Sequence, residues 1–382
     1  MQPMSKSKST RPFAAGGFTF DVATSDDSAL EMIERLLGDL PPPPQGEQAL
    51  SRFELSVARS GTADRWHLAG PRLEEQPETS LVGVMTLLVS AINLCALDSE
   101  PASLHLHAAA AVKEGGAVIL AAERNTGKTT TVAHLIERGW GFITDETVRL
   151  PSGSDGVGGF PKPLSIKPGG ETLVGHLAQW MMPALDEEGE SVRFVPIGAT
   201  GARIAESGSP RLAVLLRRRQ PGEPGSNAVA RKLHPADAVV ALMQETLDAE
   251  RFGTAAVRLA QLVASTPCYE MTMGNPGETA DLVEVLFDQP RSEPMAVELQ
   301  QASEALAEGV VSVAIGDRTA VHHLGTGAIF ALDEPASKVW EQVAGLADHG
   351  IDLAGPVVAE FVQQLKAMKV LADSSPQAGV DL

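Results

Sequence analysis

One stretch limits the folds open to this chain: Gly116-Ala-Val-Ile-Leu-Ala-Ala-Glu-Arg-Asn-Thr-Gly-Lys-Thr-Thr130. Gly116 to Ala121 is a nearly unbroken apolar run, the pattern of a buried strand. A polar turn follows, and from Thr129 the sequence predicts a helix that runs to Arg138 and is stopped by Gly139. Strand, polar turn, Gly-Lys-Thr and helix is the layout of a phosphate-binding loop. Backbone N–H groups of the turn and of the first helical turn then point at one spot and favour an anion there. In this reading Glu123, Arg124, Asn125, Thr126, Gly127, Lys128, Thr129 and Thr130 surround the phosphates of a nucleotide. Lys128 adds a point charge at the outer phosphates, and the Thr129 hydroxyl ligates Mg²⁺. The pattern asks for glycine at position 122, where this chain has Ala122. Asn125 is the residue of the loop that best tolerates a left-handed backbone, and an alanine forced into one would cost roughly 1–2 kcal/mol.

The chain has 382 residues, 43% of them hydrophobic, enough for two or three domains with real cores. Its net charge of −19 lacks the electrostatic footprint of a nucleic-acid binder. Cys95 and Cys268 lie far apart with no metal-ligand spacing, which points to a reducing compartment and buried thiols. The polar N-terminus has no signal-peptide core, no run approaches a membrane span, and the expected location is cytoplasmic.

Residues 1–17 read as a disordered tail. Phe18–Val22, a helix over Ala29–Leu40 and a hairpin of Phe53–Val57 with Arg65–Leu68 predict a small β-rich N-terminal lobe. Leu81–Leu97 has the length of a core helix. Leu104–Val112 reads as a strand that puts His105 and His107 on one face. By default a strand histidine near a core is a hydrogen-bonded structural residue. Trp140 to Glu146 is a short apolar strand ending in Asp145 and Glu146, where a nucleotide enzyme would hold Mg²⁺ or its catalytic base. Residues 151–170, rich in Gly, Pro and Ser, predict a loop over the site. Arg211–Arg217 and Pro267–Met273 predict strands, and Pro235–Leu247 a helix. The basic turn at Arg217-Arg-Arg219 is either a solvated loop or a phosphate or acidic-peptide contact.

From His107 to Glu146 the chain resembles the HPr kinase/phosphorylase superfamily, and more closely its divergent relatives in peptide natural-product clusters. The resemblance rests on His107, Gly127-Lys128-Thr129, Arg138-Gly139 and Asp145-Glu146, in agreement over roughly forty residues. It implies an α/β P-loop kinase domain of the HPr kinase / PEP carboxykinase type over residues 18–288. It also implies catalytic roles for His107, Lys128, Asp145 and Glu146, with Thr129 and Asp145 on the metal and ATP and Mg²⁺ as cofactors. The family's second acid is usually Asp, here Glu146. Its later Glu-x-Arg-Gly segment has no clear counterpart; Leu164-Ser-Ile-Lys-Pro168 is the nearest, with Lys167 in place of the Arg and no carboxylate. Phosphorylase activity is therefore not expected.

Residues 289–309 read as a linker, with Val297–Ala307 helical. Three short strands (Val310–Ile315, Thr319–His323, Ala328–Leu332) and two helices (Pro335–Leu346, Pro356–Val370) predict a small α+β module over 310–373, followed by a tail, 374–382. Ala328–Trp340 and Phe361–Leu371 resemble the PqqD family of peptide-recognition domains. That likeness implies a winged-helix-like, three-stranded fold that captures the leader of a precursor peptide by strand addition.

The joint expectation is an ATP-dependent kinase that phosphorylates a Ser or Thr hydroxyl of a ribosomally made precursor peptide. Asp145 or Glu146 would take the hydroxyl proton, and His107 would orient or stabilise the transferring group. Two other readings stay open: a decayed kinase used as a peptide-binding scaffold, and a kinase of a small molecule or carrier protein. Other peptide-modifying enzymes and a homo-oligomer are compatible partners; nucleic acid and membrane are not expected.

Overall fold

The computed structural model describes residues 7–44, 50–59, 64–73, 79–185, 191–248, 254–291, 293–300 and 303–372. It is a mixed α/β structure with a five-, an eight-, a three- and a four-stranded sheet.

The N-terminal lobe is a five-stranded sheet of Lys8–Ser9, Phe13–Ala15, Phe18–Thr24, Ser51–Ala58 and Arg65–Ala69, covered by helices Asp27–Leu37 and Leu81–Ser99. The expected tail of residues 1–17 is corrected here, since residues 8–9 and 13–15 are strands and Phe13 is buried against Phe20. The reason is local. Gly16-Gly17 joins two apolar runs as a two-residue hairpin, and Gly16 takes a positive φ (59°) suited to such a turn. Helix Leu81–Ser99 is long and apolar enough to cross a membrane, and here Leu88 and Ile92 are sealed in the core of this lobe.

The eight-stranded sheet positions the site. Its order is Val157–Gly159, Thr147–Leu150, Leu104–Lys113, Gly116–Ala121, Ser207–Arg217, Cys268–Thr272, Val229–Lys232, with Gly141–Thr144 also paired to Leu104–Lys113. Alternation decides which residue meets which layer. Leu106, Ala108 and Ala110 face helices Pro235–Gln244 and Ala255–Ser265. Ala109, Ala111, Val118 and Leu120 face helices Lys128–Glu137 and Pro276–Phe287. Alanines on both faces of the central strand let the flanking helices approach closely.

Residues 151–170 are more than the expected loop. They contain strands Val157–Gly159 and Leu164–Ile166, the second in a three-stranded sheet with Met182–Leu185 and Ser191–Val195. That sheet ties the N-terminal lobe (through Met182 and Phe194) to the layer of helix Lys128–Glu137 (through Leu164 and Ile166).

The C-terminal sheet has four strands, not three: Val297–Gln300, Val310–Ile315, Arg318–His323 and Ala328–Leu332 in sequential antiparallel order. The expected helix and linker at 289–309 are thus interrupted by a strand. Val297 and Leu299 lie opposite Ile315 and Val313, so the apolar neighbour recruits a segment whose own pattern is ambiguous. One face of the sheet packs on helices Glu334–Val343 and Pro356–Ala367 around Val321, Trp340 and Leu365. The other face, with Val313, Ile315 and Ala320, enters the same apolar core as helices Pro235–Gln244 and Ala255–Ser265. Arg318 and Asp237 close this seam with an ion pair at 3.0 Å. The expected tail 374–382 lies outside the described residues.

Candidate phosphate-binding site

The buried strand Gly116–Ala121 delivers the chain to a loop that closes into helix Lys128–Glu137. Two residues bend it: Asn125 at φ 64° and Gly127 at φ 127°. That φ requires glycine at 127, and a Cβ there would also sit 3.2 Å from Met273 Sδ, which would have to shift. Ala122 is not among the positive-φ residues, so its replacement of glycine carries no backbone strain. No side chain caps the helix at Gly127, which leaves the first amides for an external acceptor.

Lys128 is buried, and its ammonium donates to the carbonyls of Ala122 (2.5 Å) and Glu123 (3.1 Å). Burial pushes its pKa down to about 8, with Glu245, Asp145 and Glu146 acting in the opposite direction. Two consequences have opposite signs. An unfolded lysine keeps its proton to about pH 10.4, so between pH 8 and that value the unfolded chain binds more protons and this group's contribution to stability rises with pH. Anion binding, which uses the charged form, falls over the same range. One unit above its pKa about a tenth of Lys128 is charged, so affinity for pyrophosphate should be about tenfold lower at pH 9 than at pH 7. Calorimetric titration at fixed ionic strength checks this, and a flat profile would remove Lys128 from the binding step.

Asp145 and Glu146 form the turn between strands Gly141–Thr144 and Thr147–Leu150. Asp145 is buried, and its Oδ2 accepts from the Thr129 hydroxyl (3.1 Å) and the Ser165 N–H (3.3 Å). A residue not expected from the sequence completes the cluster. Lys162 is buried, with its ammonium 2.9 Å from Asp145 Oδ1 and 3.1 Å from Glu146 Oε2. Burial opposes the charge on Lys162, but the two carboxylates outweigh it and hold the ammonium above the usual lysine range. Lys162 in turn holds the Glu146 carboxyl below the usual glutamate range. Lys167, the expected stand-in for the family's Arg, is exposed.

His107 shares the strand face of Ala109 and comes beside Lys128, Glu146 and Lys162. Burial foremost, then Lys128, pushes its pKa down to about 4, so the imidazole is neutral near pH 7. Its Nε2 is buried and has no hydrogen-bond partner among the described residues. His105, two residues earlier, is instead the structural histidine of the default reading, with Nδ1 2.8 Å from Asp248 Oδ2 and its N–H on Asp248 Oδ1.

Two further residues reach the site from distant sequence. Glu245, at the end of helix Pro235–Gln244, faces Lys128 and accepts the His107 N–H on its carbonyl (2.6 Å); burial pushes its carboxyl up. Arg218, in the basic turn, donates to the Asn125 carbonyl. Glu123, Arg124 and Asn125 are exposed, and Thr126 and Thr130 are half-buried along the loop and first helical turn.

The donor set suits one Mg²⁺, because the Thr129 hydroxyl and the Asp145 carboxylate already touch beside Lys128. It does not suit a second metal ion between the two acids, since the Lys162 ammonium holds that position.

No protein-family model matches the chain, and no curated protein matches it. Among solved structures the chain is similar to the Hpr(Ser) kinase/phosphatase from Coxiella burnetii, at 16% identity over 48% of this chain and 92% of that one, with a TM-score of 0.26.

Proposed function

We propose that this chain is an ATP-dependent kinase that transfers a phosphoryl group to a Ser or Thr hydroxyl of a peptide. The observation that carries the reading is the Thr129–Asp145 contact beside the Lys128 loop, with a neutral His107 and a carboxylate at hand. Lys128 and the loop amides hold the β- and γ-phosphates. Thr129 and Asp145 hold Mg²⁺, which, when bound, neutralises charge on the phosphates. Glu146 is the better candidate for taking the hydroxyl proton: Asp145 is enclosed by three donors, whereas the Glu146 side chain is 38% exposed. A neutral His107 orients a group by hydrogen bonding and supplies no charge to the transition state. Lys162 stands where a second cation would otherwise be needed.

The C-terminal module is proposed to hold the leader of a precursor peptide. Its outer strands Val297–Gln300 and Ala328–Leu332 end the four-stranded order and suit strand addition. The absence of strain at Ala122 favours the kinase over the decayed scaffold.

The test is transfer of label from γ-labelled ATP to a set of synthetic Ser- and Thr-containing peptides, read by mass spectrometry. Glu146→Gln should lower transfer by about 10²–10⁴-fold, the usual range for losing a general base, with ATP binding retained. Phosphate released only to water, or transfer unchanged in Glu146→Gln, would count against the assignment.

A further inference from the structure

We propose that His134, Glu137 and His176 form a binding site for one zinc-class divalent cation, at the end of the P-loop helix opposite the phosphate loop. His134 and Glu137 stand on the last turn of helix Lys128–Glu137, and His176 comes from the short helical segment Gly175–Trp180. One ligand atom from each lies within 4.8 Å of the other two.

The spacing has the right size. His134 Nδ1 is 3.2 Å and His176 Nδ1 3.6 Å from the same oxygen, Glu137 Oε2. Zinc bound at about 2.0–2.1 Å in tetrahedral geometry puts its ligand atoms roughly 3.3–3.4 Å apart. The cluster therefore surrounds a cation with little movement.

The second ring nitrogen is placed to match. His134 Nε2 is 2.9 Å from the Leu173 carbonyl, which can only accept, so Nε2 is the donor there and Nδ1 is the nitrogen turned toward Glu137 and His176. A metal-bound histidine commonly has its other N–H donating to a carbonyl in this way. The C-terminal end of a helix also carries partial negative charge and favours a cation. Two imidazoles and one carboxylate are a zinc-type donor set rather than a magnesium-type one, and leave a fourth position to water. Such an ion would pin the segment after Leu164–Ile166, and hence the chain carrying Lys162 and Ser165, to the P-loop helix.

The experiment titrates the full, tag-free chain with Zn²⁺ by calorimetry in excess Mg²⁺, so that Asp145 and Glu146 do not compete. Co²⁺ replaces Zn²⁺ in a parallel titration read by visible absorption. One equivalent should bind and give the intense bands of tetrahedral cobalt. His176→Asn and Glu137→Gln should each weaken binding at least about tenfold, with circular dichroism showing both variants folded. No binding by the wild-type chain, or the same affinity in both folded variants, would overturn the site.

Discussion

Lys128→Ala is expected to abolish the Mg²⁺–ATP-dependent rise in unfolding temperature and to lower phosphoryl transfer by about 10²–10³-fold, the range for losing one preorganised charge at a reacting group. Ligand at about 100 times its Kd stabilises a protein by roughly 2.7 kcal/mol, a shift easily read in wild type. The variant loses the ammonium held by the carbonyls of Ala122 and Glu123. The loop beyond Ala122 is exposed from Glu123 to Asn125, so the fold should survive and the loss should appear in ligand binding. A full shift retained in Lys128→Ala would mean that nucleotide binds elsewhere.

Lys162→Met has the second large effect, with a sign pattern that separates charge from packing. Removing one partner of a buried ion pair leaves the other uncompensated and costs about 3–5 kcal/mol. Asp145 is fully enclosed while Glu146 reaches solvent, so the lower end, about 3 kcal/mol, is expected. The same change leaves two carboxylates without their cation, and divalent affinity should rise. Urea unfolding in chelator should therefore show a destabilised variant, and millimolar Mg²⁺ should restore much of the loss. A purely structural lysine would give the loss without the rescue. Lys162→Arg, which keeps the charge, should fall between.

The parts of this site that could be read from the sequence are those encoded locally. The loop, Asn125 as its left-handed residue, and Asp145–Glu146 one strand later follow from spacing along forty residues. His107 stands out for the same reason, and alternation along one strand puts it on the Ala109 face. Lys162 and Glu245 were not legible as site residues, because only the fold brings them in, whereas Arg218 lies in the basic turn whose sequence leaves solvent and phosphate contact both open. A signal for Lys162 did exist: Phe160-Pro-Lys-Pro163 places a lone cation between two prolines in an apolar segment. Such stiffened backbone suits a side chain delivered to a fixed place. In the same way Gly16-Gly17 between apolar runs marks a hairpin, which the polar composition of the first ten residues obscured. Val297–Gln300 was harder, for an edge strand half open to water alternates weakly and gains its identity from Val310–Ile315 beside it.

The seam between the C-terminal sheet and helices Pro235–Gln244 and Ala255–Ser265 changes what a captured peptide would experience. A module on a loose string would offer many acceptor positions to the phosphate loop, blurred by the string's length. Under the proposed function, a module sharing a core with the half that carries Lys128 would work as a ruler. Each extended residue of a peptide advances about 3.3 Å, so the distance between the sheet edge and Lys128 would select an acceptor by counting residues from the leader. Lengthening the peptide between the two points by a few residues would then move the mark to a different hydroxyl rather than merely slow the reaction.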